Sequence, residues 1–306
     1  MNVKKKQIKL NSIQIDIAPL LATETNSLKS KWLKLEKTSS SSFFLSWKWI
    51  GAWLKQVIST QKLIVVSASH HNEVVGLGIF VEKITTRYGL LKSTQWFLHR
   101  SGNDVDDQIW IENNNFLMSK KNEKLVITAI WQALCKLPQS VDEFVIAMYH
   151  KKAEQCLLPK PSNYNLITSY TETGYYLSLK NMFTLEDYLI TLSKNTRKQL
   201  KRSYSLLQQE NFTFEIIEDP AQQLVILNQS KQWHIDKWKN TETPSGFTNT
   251  KFINFHESLL HEKHLRAKTV IASLTINNEL YGCLYCFIDD NCAYFYLSAF
   301  KELKDN

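Results

Sequence analysis

The chain has 306 residues, 43% of them hydrophobic, and a formal net charge of +8. This hydrophobic content is ordinary for a globular protein and excludes a disordered chain, and the length favours two domains of roughly 100–200 residues each. Four lysines near the start, at positions 4, 5, 6 and 9, carry half as much positive charge as the whole net charge. The rest of the chain is therefore only mildly basic. Composition is therefore a weak argument for a polyanionic partner.

Cysteine usage and hydropathy indicate the compartment. The five cysteines are an odd number, and three of them fall in one strand-like segment, 283–292, which argues against a disulfide framework. No apolar run approaches the roughly 18 residues of a membrane-spanning helix, and the basic start MNVKKKQIKL is not followed by an apolar segment. The expected location is the cytoplasm, with contact at a membrane surface left open.

The first half of the chain is predicted to begin with a tail at residues 1–12. In the aromatic stretch 43–57, apolar residues recur at helical spacing on neighbouring faces. This pattern predicts a helix that is buried over a wide arc. Further helices are predicted at 27–38 and 123–137, and strands at 62–69, 73–83, 93–102, 142–150 and, after an acidic start, 103–112.

The second half is predicted to follow a link at 151–174, which has two prolines and many polar residues. Thr184 is a plausible N-cap for a helix at 183–192, and Pro220 opens another that ends near residue 240. Other helices are expected after residue 192 and at 250–265, and strands at 175–180, 212–219, 267–276, 279–289 and 291–300.

Residues 192–204, LSKNTRKQLKRSY, are strongly basic. If the segment is helical, Lys194, Arg197, Lys198 and Lys201 share one face at spacings of three and four. Such a face is either solvated or holds an anion, for which arginine offers a planar fork of donors. A nucleic-acid contact is disfavoured because no aromatic residues alternate with the basic ones.

The helix after Pro220 contains QWHIDKWK, in which His234 and Trp238 lie one turn apart. An imidazole can accept a proton near neutral pH, although an ordinary helix surface explains the same pattern. Gly246 is expected to adopt a positive φ in the following loop, and Phe247 to pack. Strict strand alternation places Tyr294, Tyr296 and Ser298 on one face of the last strand.

An acidic cluster follows a glycine turn at Asp104, Asp106 and Asp107, and it either binds an amine or solvates a loop. No metal site is expected. Cys283 and Cys286 would point to opposite faces of a strand, and two histidines five residues apart, at 256 and 261, diverge on a helix.

The ordered segments FFLSWKWIGAWLK, LSKNTRKQLKRS, QWHIDKWKN followed by GF, and ELYGCLYCFIDDNCAYFYLSAF together resemble the CelD/BioF2-like acyltransferases. These belong to the GNAT superfamily of N-acyltransferases and are relatives of the Fem-type aminoacyltransferases. The resemblance covers about residues 40–300. It implies an α/β (α+β) fold of two tandem GNAT-like modules, 13–160 and 161–306, each a mixed, mostly antiparallel sheet flanked by helices.

The resemblance also implies an activity: transfer of an acyl group, with acetyl expected, from acyl-CoA to an amine. The acceptor would be a small molecule, a sugar-nucleotide-like compound, or an envelope or polysaccharide precursor. His234, Tyr296 and Ser298 would be catalytic, and the backbone at Leu297 and Ala299 would hold the donor. The acceptor side would comprise Arg197, Trp238, Gly246, Phe247, Asp106 and Asp107.

One departure from the family pattern supports an alternative. After the last strand the family has a Pro-Gly-containing loop and a helix, whereas here only KELKDN follows, so the sequence resembles a C-terminally shortened member. The alternative is a non-catalytic binding protein that keeps the acceptor cleft and has lost the donor site. A tRNA-dependent aminoacyltransferase is disfavoured because no insertion is long enough for its helical arm. The oligomeric state is left open.

Overall fold

The computed structural model describes residues 5–10, 12–39, 42–137, 141–149, 163–290 and 292–302. Their strands are β1 (Lys6–Leu10), β2 (Ile13–Pro19), β3 (Lys62–His70), β4 (Glu73–Arg87), β5 (Leu91–Leu98), β6 (Leu117–Met118), β7 (Glu143–Val145), β8 (Phe212–Ile217), β9 (Lys268–Ile276), β10 (Glu279–Ile288) and β11 (Ala293–Phe300). Their helices are α1 (Thr25–Glu36), α2 (Trp47–Val57), α3 (Glu123–Cys135), α4 (Leu185–Thr191), α5 (Lys194–Leu207), α6 (Pro220–Trp238) and α7 (Thr250–His261).

The first sheet is mixed and has the order β1-β2-β3-β4-β5-β7, with β6 beside β4. Only β5 and β7 are parallel among its pairs. Strand β4 is buried on both faces: Leu77 and Ile79 contribute to the core shared with α1 and α2, whereas Phe80 contributes to the core beneath α3. The sheet is therefore covered by helices on both sides.

The predicted aromatic helix is confirmed, with an interruption at its start. Phe43–Leu45 form a 3₁₀ turn, and the Ser46 hydroxyl accepts the Trp49 N–H as the N-cap of α2. Every residue of the first two turns is buried. Even Lys48 is enclosed, its Nζ donating to the Glu262 carbonyl at 2.6 Å, and burial lowers the pKa of this amine to about 8.

The second sheet is antiparallel, with the order β11-β10-β9-β8. Its inner face packs against α6 and α7, and these helices share one core with α1 and α2. Trp49 of α2 contacts Phe255 of α7 with ring centroids 4.7 Å apart. The two sheets and the helices between them confirm the mixed, mostly antiparallel α+β fold class expected for GNAT-like modules.

Several predicted elements differ from the structure. Residues 6–10, expected in a tail, form β1, because Ile8 and Leu10 alternate with exposed residues and pack against the core beneath α3. The expected strand at 103–112 is absent from this described segment. There the Asn103 side chain accepts the N–H groups of Val105 and Asp106, and such local bonds compete with strand pairing.

The expected strand at 175–180 also does not form. Tyr175 and Tyr176 are each 94% exposed, and no described strand pairs with this segment. The strand expected at 142–150 is limited to Glu143–Val145, and its last position lies outside the described residues, as do 151–162 of the expected link. Within the described chain, no helix combines the length and apolarity that a membrane span requires.

Candidate functional site

A large open cleft of about 2780 Å³ lies where the two halves of the chain meet. One wall comes from the first half, with Asp104 to Phe116 and the residues after β7. The opposite wall comes from the second half, with the loop at Glu242 to Pro244 and the start of β11 at Ala293 to Phe295. Residues 168–180 line a further side.

Among the described residues that line it, the cleft is predominantly acidic. Its lining includes two cationic side chains, Arg100 and Lys180, against seven carboxylates: Asp104, Asp107, Glu112, Glu123, Glu172, Glu242 and Asp289. A concave surface with an excess of one charge focuses its field and attracts ligands of the opposite sign. The cleft therefore favours a cation, such as a protonated amine, over an anionic ligand.

The two acidic residues predicted to bind the acceptor are engaged within the chain. Asp107 accepts the Ser101 N–H at 2.7 Å and the Gly102 N–H at 3.0 Å, and it pairs with Arg100. Asp106 pairs with Lys251 of α7 at 2.6 Å. Both carboxylates therefore fix the acidic loop against its surroundings, and neither is left available in the way that the sequence suggested.

Glu112 lines the cleft, and sequence reasoning did not identify it as a candidate. Among the described residues it makes no hydrogen bond or ion pair. Burial raises the pKa of this carboxyl above its usual range. Its two-residue neighbour Trp110 donates its backbone N–H to the Tyr296 hydroxyl at 3.2 Å, which places Glu112 beside β11.

Strand β11 contains a β-bulge at Tyr296. Tyr285 pairs with Leu297 and the next residue, Cys286, pairs with Phe295, so Tyr296 is the extra residue. The bulge reverses the alternation: Tyr294 and Tyr296 pack on the same core as Leu297 and Ala299. The expectation that Leu297 and Ala299 face away from the tyrosines was wrong, because one inserted residue shifts every later side chain to the other face.

The Tyr296 ring is held between the two halves of the chain. It contacts Trp49, Phe287 and His256 with centroid distances of 5.8, 4.7 and 5.4 Å. Burial, with a smaller contribution from the charge of Glu112, raises the pKa of the Tyr296 phenol, so it stays protonated near neutral pH. Because its oxygen already accepts the Trp110 N–H, its proton remains available for donation.

The outer edge of β11 has no partner strand within the described residues. Lys301 N–H bonds to the Tyr281 carbonyl of β10 at 2.9 Å. Hydrogen bonds alternate along an antiparallel ladder, so the amides of Ser298 and Phe300 point away from β10. Leu297 and Ala299 are buried, and the same alternation points their amides toward β10 and away from the outer edge.

His234 and Trp238 share a face of α6, as the spacing predicted. Their rings are stacked at 6.0 Å, and His234 Nδ1 lies 2.8 Å from the Ser245 hydroxyl. Burial, together with the charge of Lys237, lowers the pKa of His234 to about 4. The imidazole is therefore neutral but a weak base, and neither residue is part of the cleft lining.

Gly246 does not have the positive φ that the sequence suggested. It lies in a 3₁₀ turn, Gly246–Thr248, where the Phe252 ring occupies the space of a side chain: a Cβ would lie 2.6 Å from that ring. Phe247 is buried and contacts Phe252 and His234, which confirms the expected packing.

Helix α5 carries the basic face, and none of its residues is buried. Arg197 is half-buried and donates to the Leu192 carbonyl at 3.2 Å, while its Nε is enclosed without a partner among the described residues. Arg197 therefore ties the start of α5 to the preceding turn, and it is not part of the cleft lining.

The cysteines and histidines considered as metal ligands lie apart from one another. Cys283 lies in the core, 3.4 Å from the Ser230 hydroxyl, whereas Cys286 faces the other side of the sheet. His256 is buried, and neither of its ring nitrogens has a hydrogen-bond partner in the part of the chain that the structure describes. His264 pairs with Glu36 at 3.0 Å. Cys283, Cys286 and Cys292 are free.

Comparison with known proteins agrees with this second-half architecture. Residues 194–303 match the family model of the acetyltransferase (GNAT) domain. The match begins at the first residue of α5 and extends past β11, and it supports the GNAT superfamily and acyl transfer in general. No curated protein matches the chain.

Proposed function

We propose that the protein is an N-acyltransferase that transfers an acyl group, with acetyl as the expected one, from acyl-CoA to an amine. The observation that carries this proposal is the β-bulge at Tyr296 in the edge strand of a segment that matches the GNAT domain. We place the chain among CelD/BioF2-like relatives of the Fem-type enzymes, and in the cytoplasm, because acyl-CoA is made there.

The donor would lie along the outer edge of β11. Backbone N–H groups that point at a developing oxyanion stabilise the transition state of acyl transfer. The outward amide of Ser298 is the donor we assign to this role. The Tyr296 hydroxyl would donate a hydrogen bond to the departing thiolate and supply the proton that the thiolate takes up.

The acceptor would occupy the acidic cleft as a cationic amine on a small molecule or on an envelope or polysaccharide precursor. The excess of carboxylates disfavours a sugar nucleotide inside the cleft itself, since its phosphates are anionic. If a phosphate-bearing acceptor is used, its phosphates would lie outside, where the basic face of α5 and Arg197 are candidates to contact them.

Calorimetric titration of acetyl-CoA into the 306-residue chain tests the donor site. We expect saturable binding, and release of free CoA thiol when a panel of amines is added. Binding without thiol release from any amine would favour the non-catalytic alternative, and no binding at millimolar acetyl-CoA would refute the proposal.

Two substitutions at one position locate the donor. Ser298→Pro removes the outward amide and is tolerated in an edge strand, whereas Ser298→Ala keeps the amide and removes only the hydroxyl. We expect Ser298→Pro to lower the rate of CoA release about 10²-fold or more, as removal of an oxyanion donor does elsewhere. A similar loss in Ser298→Ala would instead assign the role to the hydroxyl.

A further inference from the structure

Glu112 combines three features that occur together nowhere else in the described cleft. Its carboxylate lines the cleft, it has no partner among the described residues, and it lies beside the Tyr296 hydroxyl on the strand assigned to the donor. Asp107 lines the same cleft, but its oxygens are bonded to Ser101 and Gly102.

The position of Glu112 is fixed from both sides. Ile111 is buried in the core shared by the two halves, and Asn114 is buried and bonds to the Leu98 carbonyl at 2.9 Å. The segment between them is therefore anchored at both ends, and the bond from Trp110 to Tyr296 joins it to β11. The backbone at Glu112 is therefore held in a fixed position with respect to the bulge.

We propose that Glu112 is the general base that receives a proton from the acceptor ammonium group. The inference rests on the proposed acyltransferase function and names the residue that makes the acceptor nucleophilic. It replaces His234 in that role, because the Nδ1 of His234 is engaged with the Ser245 hydroxyl at 2.8 Å.

The ammonium gives one proton to the Glu112 carboxylate, and the free amine attacks the thioester carbonyl carbon. A C–N bond forms and the C–S bond breaks. Tyr296 protonates the departing thiolate, the nitrogen releases its second proton to water in the open cleft, and water in turn reprotonates the Tyr296 phenolate. Glu112 then returns its proton to solvent through the open cleft.

Burial raises the pKa of Glu112, which brings it closer to neutral pH and makes it a stronger base than an exposed carboxylate. A carboxylate also attracts the ammonium form before it accepts the proton. One residue thus both binds the charged acceptor and deprotonates it.

The test compares wild type, Glu112→Gln and the matched control Glu215→Gln, which changes an exposed carboxylate on β8 of the second sheet. Two acceptors are used with acetyl-CoA: putrescine, which is protonated at neutral pH, and methoxyamine, which is uncharged there. Free CoA thiol and the acetylated product are measured, and circular dichroism establishes that the variants are folded.

We expect Glu112→Gln to lower turnover of putrescine by about 10²–10⁴-fold, the usual contribution of a general base. Turnover of methoxyamine should fall by less than tenfold, because no proton has to be removed before attack. Glu215→Gln should match wild type with both acceptors.

An active wild type whose Glu112→Gln variant loses little with putrescine, or loses equally with both acceptors, would overturn the role of Glu112 alone. A wild type that acetylates neither these amines nor any in the panel would overturn the proposed function and, with it, this inference.

Discussion

Phe43 and Phe287 stack face to face, with ring centroids 4.6 Å apart and planes 3° from parallel. Phe43 precedes the aromatic helix α2, and Phe287 lies on β10 of the second sheet. The stack therefore joins the two halves of the chain through a buried contact.

Loss of this stack should destabilise the whole molecule. Both rings are fully buried, so Phe43→Ala leaves a cavity, and we expect a loss of about 3–5 kcal/mol in the free energy of unfolding. Urea denaturation followed by tryptophan fluorescence measures it. Phe183→Ala, at a phenylalanine that is 88% exposed, is the control and should change stability by less than about 0.5 kcal/mol. Equal effects would contradict the shared core.

Gly246 is required by close packing. Because a Cβ at this position would lie 2.6 Å from the Phe252 ring, Gly246→Ala should cost about 1–3 kcal/mol of stability. Gly174→Ala is the matched control, since no atom lies within 4 Å of its Cβ, and it should be neutral or slightly stabilising. Thermal denaturation of the two variants gives the comparison. A neutral Gly246→Ala would show that the Phe252 ring can move aside.

Local patterns predicted most elements of this fold. The Thr184 cap, the start of α6 at Pro220 and the wide burial of α2 follow from short-range chemistry, and the structure confirms each. The segment 175–180 has an equally strand-like pattern but lacks a pairing partner in the described chain. Alternation indicates that a strand is feasible, and only tertiary pairing decides whether it forms.

The candidate site was less predictable because it depends on tertiary contacts. The sequence around Tyr296 contains no pattern that predicts the bulge, and the bulge reverses the faces of β11. Glu112 is an isolated carboxylate in the sequence, and it stands out only when its neighbours Asp106 and Asp107 prove to be bonded within the chain. The sequence placed the candidate acceptor site at Asp104, Asp106 and Asp107 and gave no reason to single out Glu112.

Acidic pH should weaken the fold through buried histidines, of which His99 and His256 are the two most fully enclosed. Burial lowers the pKa of His99 to about 4 and that of His256 to about 3, whereas an unfolded histidine titrates near 6.5. Below pH 6.5 the unfolded chain therefore binds more protons than the folded chain, and the free energy of unfolding falls as the pH is lowered toward 4. Above pH 6.5 these groups contribute no pH dependence. Urea titrations from pH 7.5 to 4.5 measure the slope.

A substitution assigns that slope. His256→Phe keeps an aromatic ring among Phe252, Phe255 and Tyr285 but cannot bind a proton, so its stability should fall less steeply below pH 6.5. His71→Asn, in the exposed β3–β4 turn where asparagine also tolerates the positive φ, should keep the wild-type slope. Parallel slopes in all three proteins would exclude His256 as the source.

The Tyr296 hydroxyl should matter for catalysis far more than for stability. Tyr296→Phe removes the acceptor of the Trp110 N–H, but Trp110 is 50% exposed, so water replaces the bond at a cost of about 1 kcal/mol or less. If the hydroxyl protonates the leaving thiolate, CoA release should slow about 10²-fold while the calorimetric affinity for acetyl-CoA is unchanged. Tyr204→Phe on the exposed α5 should behave as wild type. A weaker acetyl-CoA affinity with normal turnover of the bound donor would instead make Tyr296 a binding residue, since a group that acts only in the transition state changes turnover alone.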